Sequence, residues 1–362
     1  MKQLDEFKEI IHNCSKCGLC QSVCPTYIES GNECVVSRGQ FIMLRGVIKG
    51  DLKMNKNINK YLDLCLKCGK CSNFCPSNID IVEVILSAKA EYFKSSFEGK
   101  ILSFLHSKMV FNTALNIANF FFGSKKKYNK KCKTKAIYYG GCSSKVFSKT
   151  SDYIKSTLNN MEIEVLDTDL NCCGLPFLTS GNADRFIEQL NENVNKIKDL
   201  EFDFFITDCA SCQSTWASYA KYIKDPILRE KLENIKFKTI YDLIAENDIQ
   251  FKSNKETTIT YHQPCHSKND VAEKIISKIK NIKYIELKKK DDCCGFSGLI
   301  KPTTWRTTKN ISTKKHTNII NTKAKYVLTT CFACFLTLNI LSKFKYRTKT
   351  LISFLSENCR VL

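Results

Sequence analysis

The chain has 362 residues, 43% hydrophobic and 25% charged, which suits a folded protein of two or three domains and excludes a disordered or fibrous one. Its formal net charge is +20, yet only seven of its 56 basic residues are Arg. No nucleic-acid-binding motif accompanies that charge, so no nucleic-acid partner is expected. The count that stands out is 21 cysteines. The stretch "MKQLDEFKEIIHNC" lacks the apolar run and small-residue cleavage site of a signal peptide. A cytoplasmic chain with reduced thiols is therefore expected, and spaced cysteines there point to metal sites rather than disulfides.

The first block, residues 1–95, carries nine cysteines, eight of them in two matching runs. "CSKCGLCQSVCP" (14–25) and "CLKCGKCSNFCP" (65–76) both read C-x2-C-x2-C-x3-C-P. In the two-cluster [4Fe–4S] pattern the fourth cysteine of each run crosses to the other cluster. Cys14, Cys17, Cys20 and Cys75 are thus expected to hold one cubane, and Cys65, Cys68, Cys71 and Cys24 the other. Soft thiolates suit iron. Structural zinc is the competing chemistry, but it takes two C-x-x-C pairs rather than two runs of four. Two redox centres held close together pass single electrons, and nothing in this block supplies a substrate pocket or a catalytic residue.

Residues 96–135 form a second block, an apolar stretch followed by seven lysines between 125 and 135. His106, Lys108, Asn112 and Asn116 interrupt the apolar run, so no spanning helix is expected. Two readings remain open: an amphipathic helix against a partner or the inner face of the cytoplasmic membrane through 101–135, or a packed helix with a solvated Lys-rich linker.

From residue 136 onward the chain is an internal duplication, 136–256 and 257–362. Cys142 and Cys265 are 123 positions apart, Cys172 and Cys293 121, and the pairs Cys209/Cys331 and Cys212/Cys334 each 122. Each half reads as a single Cys, then Cys-Cys-Gly, then C-x-x-C. Short β-rich runs at 136–142, 162–167, 202–212, 258–265, 283–288 and 325–334 lead into these cysteines, with helical stretches such as 183–200 between them. Alternating strands and helices predict parallel α/β layers whose sites lie beyond the carboxyl ends of the strands. The expected fold is therefore α+β and multidomain, an α-helical two-cluster domain followed by two duplicated α/β modules. Adjacent cysteines on a glycine turn (Gly174, Gly295) can reach two irons of one cluster, which gives five thiolates per half for a multi-iron site. His262 and His266 flank Cys265 as ligands or proton carriers, or as partners that tune potential through hydrogen bonds. Asp208 is expected to cap a helix. No G-x-G-x-x-G follows a strand, so no flavin or nicotinamide site is expected in this chain.

"CPTYIESGNECVVSRGQFIMLRGVIKG" (24–50), "YHQPCH" (261–266) and "CCGFSG" (293–298), with the cysteine motifs, resemble the glycolate oxidase iron–sulfur subunit family end to end. That family lies within the wider heterodisulfide reductase-like set of proteins with cysteine-rich CCG domains. The resemblance implies an electron-transfer subunit beside an FAD-containing dehydrogenase subunit that oxidises glycolate or D-lactate. Electrons would pass on to a quinone or another carrier, and FAD is expected only in the partner. From the heterodisulfide reductase branch it implies one or two further iron–sulfur clusters. Cys142, Cys172, Cys173, Cys209 and Cys212 would hold the first, and Cys265, Cys293, Cys294, Cys331 and Cys334 the second. Both sets are complete, which keeps the alternative of a subunit that reduces a disulfide substrate. Cys34, Cys132 and Cys359 are left as ordinary thiols.

Overall fold

Both four-cysteine runs fold into the same tight turn. Lys16 and Lys67, third in each run, are left-handed (φ 57° and 54°), as are Gly18 and Gly69 (φ 84° and 73°). Left-handed residues two apart curl the backbone into this tight turn. Short helices, Leu19–Val23 and Lys70–Asn73, start directly after the glycines. The computed structural model describes residues 1–107, 131–267, 270–296, 304–343 and 345–362, so most of the apolar stretch and lysine run of 96–135 lies outside the described residues. By spatial contact the chain divides into two units. Met1–Ser107, Leu175–Phe186 and Asp292–Thr317 make the first; Lys108–Gly174, Ile187–Asp291 and Asn318–Leu362 make the second.

In the first unit, helices Ser37–Lys49, Lys56–Asp63 and Ile81–Ser95 place apolar residues three and four apart on one face. Phe41 and Leu44, Ile58 and Leu62, and Val84, Ile85 and Ala88 meet there around Leu4, Phe7 and Ile11. Leu44, Leu62, Val84 and Ile85 are fully buried, each worth about 1.5–3 kcal/mol. Asn55 and Asp80 cap the second and third helices by accepting from backbone N–H groups of their first turns. Cys14, Cys65, Cys71 and Cys75 pack against the edge of this core. A buried ion pair crosses it, with Lys89 Nζ 2.8 Å from Asp63 Oδ1 and Asn59 Nδ2 donating to Asp63 Oδ2 at 3.0 Å. Lys89 and Lys67 both donate to the carbonyl of Thr179, at 2.5 and 3.1 Å. That carbonyl lies in the segment that directly follows Cys172–Cys173–Gly174 in sequence.

The second unit contains two sheets of the same order. Strands β1 (Thr134–Tyr139), β2 (Ile163–Leu166), β3 (Phe204–Thr207) and β4 (Phe237–Thr239) are parallel in the order β2-β1-β3-β4. Strands β5 (Phe251–His262), β6 (Lys280–Tyr284), β7 (Tyr326–Thr329) and β8 (Arg347–Thr350) repeat that order as β6-β5-β7-β8. β9 (Cys359–Val361) adds an antiparallel edge along the start of β5. The duplication in sequence is thus a duplication in topology, and the α+β multidomain fold expected from the pattern is observed. One continuous core runs through both sheets, with Ile154, Leu158 and Ile206 from the first half and Ile259, Ile276, Leu328 and Leu355 from the second. The strand expected at 283–288 lies earlier, because pairing with β5 ends at Ile259–Tyr284 and the charged run beyond turns away. β4, β8 and β9 carry Lys238, Arg347 with Lys349, and Arg360, and no apolar β-rich run marks them in sequence.

Candidate metal centres

Two cavities in the first unit are lined by the eight cysteines of the paired runs. One is bounded by Cys14, Cys17, Cys20, Cys71 and Cys75. The other is bounded by Cys24, Cys65, Cys68 and Cys71. Each fourth cysteine therefore stands with the opposite run, because the short helices after the two turns, Leu19–Val23 and Lys70–Asn73, pack against each other. Burial, then the neighbouring thiol of Cys65, lifts the Cys71 pKa to about 12. Burial lifts that of Cys68 to about 11 against the pull of Lys70's backbone N–H. Burial also raises Cys20 and Cys65. Thiols crowded in this way ionise only when a cation joins them. A donor set of sulfur alone, in two cavities, fits iron–sulfur clusters.

In the second unit the five cysteines of the first CCG motif form a chain of contacts. The Cys142 thiol hydrogen-bonds Cys172, Cys172 lies against Cys173, and Cys212 bonds both Cys173 and Cys209. The contact with Cys142 lowers the Cys172 pKa, but Cys173 and burial outweigh it and push the value to about 12. Cys172, Cys173, Cys209 and Cys212 are buried and Cys142 half-buried. The Cys-Cys turn is held from behind by residues that sequence reasoning missed. Asn193 Nδ2 donates to Cys172 O at 3.0 Å, its Oδ1 accepts from Asn171 N at 2.9 Å, and Tyr219 OH donates to Cys173 O at 2.9 Å. One signal could have found Asn193: it sits on helix Ala183–Ile197 in the buried stripe of Phe186, Leu190, Val194 and Ile197. Gly174 is left-handed (φ 78°), as the glycine turn requires. Gly141 is left-handed too, and a Cβ there would stand 3.4 Å from Cys212 Sγ.

The second motif is distributed between the units. Cys293 and Cys294 belong to the first, and Cys265, Cys331 and Cys334 to the second. In the first unit Cys293 is buried with Ile311 and with Leu66, which lies between Cys65 and Cys68. Ser312 Oγ donates to Cys294 O at 2.7 Å, the carbonyl that corresponds to Cys173 O in the first motif. In the second unit Cys331 is hydrogen-bonded by Cys209 and Cys334, which hold its pKa well below the ordinary thiol value. A ring nitrogen of buried His262 lies within 4.8 Å of Cys334 Sγ, and His266 Nδ1 is 3.8 Å from Cys265 Sγ.

Cys34 lies in a 3-10 turn (Glu33–Val35), Cys132 just before β1 and Cys359 in β9. Asp208 does not cap the helix Ala210–Ala217; Cys209 occupies the N-cap position, with no side-chain cap. Burial, then the adjacent Cys209, lifts the Asp208 carboxyl pKa to about 8.

Comparison with known proteins agrees with this arrangement of sulfur. Residues 10–79 match the 4Fe-4S dicluster domain, and residues 136–216 and 259–339 each match the cysteine-rich domain called CCG. The chain is thus an iron–sulfur protein that joins a dicluster domain to two cysteine-rich domains. Within that class it is similar to a probable glycolate oxidase iron–sulfur subunit of Bacillus subtilis, 24% identical over 83% of each chain. It is also similar to a subunit of the dihydromethanophenazine:CoB–CoM heterodisulfide reductase of Methanosarcina acetivorans, 22% identical over 90% of this chain and 87% of that one. A hypothetical protein from Helicobacter pylori shares the fold with a TM-score of 0.53, at 10% identity over 88% of this chain and 67% of that one. Among the described residues no helix is long and apolar enough to cross a membrane.

Proposed function

We propose that this chain is the electron-transfer subunit of an FAD-linked 2-hydroxy-acid dehydrogenase that oxidises glycolate or D-lactate. A flavoprotein partner would deliver the electrons, and a quinone or another carrier would take them. The observation that carries the proposal is the arrangement of sulfur, two cysteine-lined cavities in the first unit and a run of five touching cysteines in the second. The likeness to a glycolate oxidase iron–sulfur subunit supports the substrate class. Cys14, Cys17, Cys20 and Cys75 would hold one [4Fe–4S] cluster of the 1–95 domain, and Cys65, Cys68, Cys71 and Cys24 the other. Cys142, Cys172, Cys173, Cys209 and Cys212 would hold a further cluster in the 136–256 module. Cys265, Cys293, Cys294, Cys331 and Cys334 would hold one in the 257–362 module. When bound, such clusters accept and release single electrons. The chain's own residues fix the sulfurs: Asn193, Tyr219 and Ser312 hold the Cys-Cys turns through backbone carbonyls. The expected location is cytoplasmic, at the inner face of the membrane if residues 101–135 bind lipid.

A second function, reduction of a disulfide substrate at the cysteine-rich modules, is favoured by the completeness of both five-cysteine sets and by the likeness to a heterodisulfide reductase subunit. Anaerobic purification from the native host, followed by addition of glycolate or D-lactate, separates the two. The dehydrogenase role predicts a co-purifying flavoprotein and bleaching of the iron–sulfur absorbance by one of the acids. A chain isolated without a flavoprotein and unbleached by either acid, but oxidised by an organic disulfide after reduction, contradicts it and supports the second function.

A further inference from the structure

Cys209 and Cys331 occupy matching places in the two repeats. Each is the N-cap residue of the helix that follows the third strand of its sheet, Ala210–Ala217 after β3 and Phe332–Ser342 after β7. Both are almost fully buried, 3% and 2% exposed. Within the second unit the backbone brings them together, since Ala210 N–H donates to Thr330 O at 2.9 Å and Phe332 N–H donates to Cys209 Sγ at 3.5 Å. One hydroxyl touches both sulfurs, which also contact each other. Ser211 Oγ is 3.3 Å from Cys209 Sγ and 3.4 Å from Cys331 Sγ. The duplication sets Ala333 at the equivalent position, so the second repeat offers no matching hydroxyl and Ser211 serves both.

We propose that Ser211 is a positioning residue shared by the two cysteine-rich modules, whose single O–H hydrogen-bonds the more electron-rich of the two sulfurs and so couples the redox states of the modules. The proposal rests on the reading that both modules bind iron through these cysteines. A serine hydroxyl has one proton to donate, and two metal-bound thiolates can only accept it. A hydrogen bond to a charged acceptor is roughly twice as strong as one between neutral groups. Hydrogen bonds to ligand sulfurs also stabilise the reduced form. An electron entering one module draws the Ser211 proton towards that module's sulfur and away from the other. The first reduction is eased. The second gains nothing further, so the two potentials stand apart.

The test is a reductive titration of the full, anaerobically purified chain, with iron content measured and each module followed by electron paramagnetic resonance. Ser211→Ala is expected to lower the first potential about tenfold in the reduction equilibrium, or ~59 mV for a one-electron couple, while leaving the second in place. The second repeat already carries alanine at this position, so the motif tolerates it. Ser211→Thr keeps the hydroxyl and is expected to restore the gap. Two loaded modules whose potentials do not respond to Ser211→Ala overturn the proposal alone, as do equal shifts in the alanine and threonine variants. A wild-type chain with no iron in either cysteine-rich module overturns the proposal together with the reading beneath it.

Discussion

Gly295 shows how little freedom the cysteine turns have. Its backbone is left-handed (φ +87°), and a Cβ there would lie 2.1 Å from Ser312 Oγ and 2.7 Å from Thr308 O. Gly295→Ala is expected to cost about 1–3 kcal/mol from backbone strain, and more from displacing Ser312 off Cys294 O, seen as a lower unfolding midpoint in urea. Asn193→Ala would leave Cys172 O without its buried donor, a loss of about 1–3 kcal/mol. The same variant should release iron from the first module faster under a chelator, whereas a surface asparagine exchanged for alanine should not. The motifs of eighteen cysteines were legible in the sequence because their spacing repeats along the chain itself. Asn193, Tyr219, Ser211 and Ser312 were not, because each acts on a carbonyl or sulfur brought near only by folding. Asp208 misled for the same reason, since a carboxylate before a helix usually caps it and here the neighbouring cysteine takes that place.

At the scale of elements, helices Lys56–Asp63 and Ile81–Ser95 are tied by the buried Lys89–Asp63 pair, whose side chains are 2% and 3% exposed. Lys89→Met strands a carboxylate in the core and is expected to destabilise by about 3–5 kcal/mol, while the double change with Asp63→Leu recovers most of that loss; urea denaturation of the three proteins measures it. The surface offers a weaker tie. Lys314, on helix Trp305–Asn321, hydrogen-bonds Glu29 and holds its carboxyl below the ordinary value of 4.5. A depressed folded pKa means that this contribution is present above pH 4.5 and is lost as pH falls through the lowered value. Glu29→Gln should therefore flatten the acid limb of the stability curve by less than about 1 kcal/mol; an effect at neutral pH that persists below pH 3 would exclude the ionic cause. The six strands with β-rich runs were visible in sequence, with β6 shifted towards the N-terminus. β4 and β8 were not, although Thr239 and Thr350, which end them, cap the helices that follow.

For the whole molecule, repeated spacing in the second part of the chain became two sheets of one order with a common core. What spacing could not show is which segments share a compact unit. Leu175–Phe186 and Asp292–Thr317 join the N-terminal helices through Thr179 and Cys293, and those contacts carry no periodic mark in sequence. The central claim is that sulfur is arranged for iron in the cysteine-rich modules as well as in the dicluster domain. Iron and acid-labile sulfide content of the anaerobically purified chain, beside a Cys172→Ser/Cys173→Ser variant, tests it most directly. The expected result is more iron than two [4Fe–4S] clusters can hold, with the variant losing only part of the excess and keeping the dicluster signal. Wild-type iron no greater than two such clusters, unchanged in the variant, would contradict it.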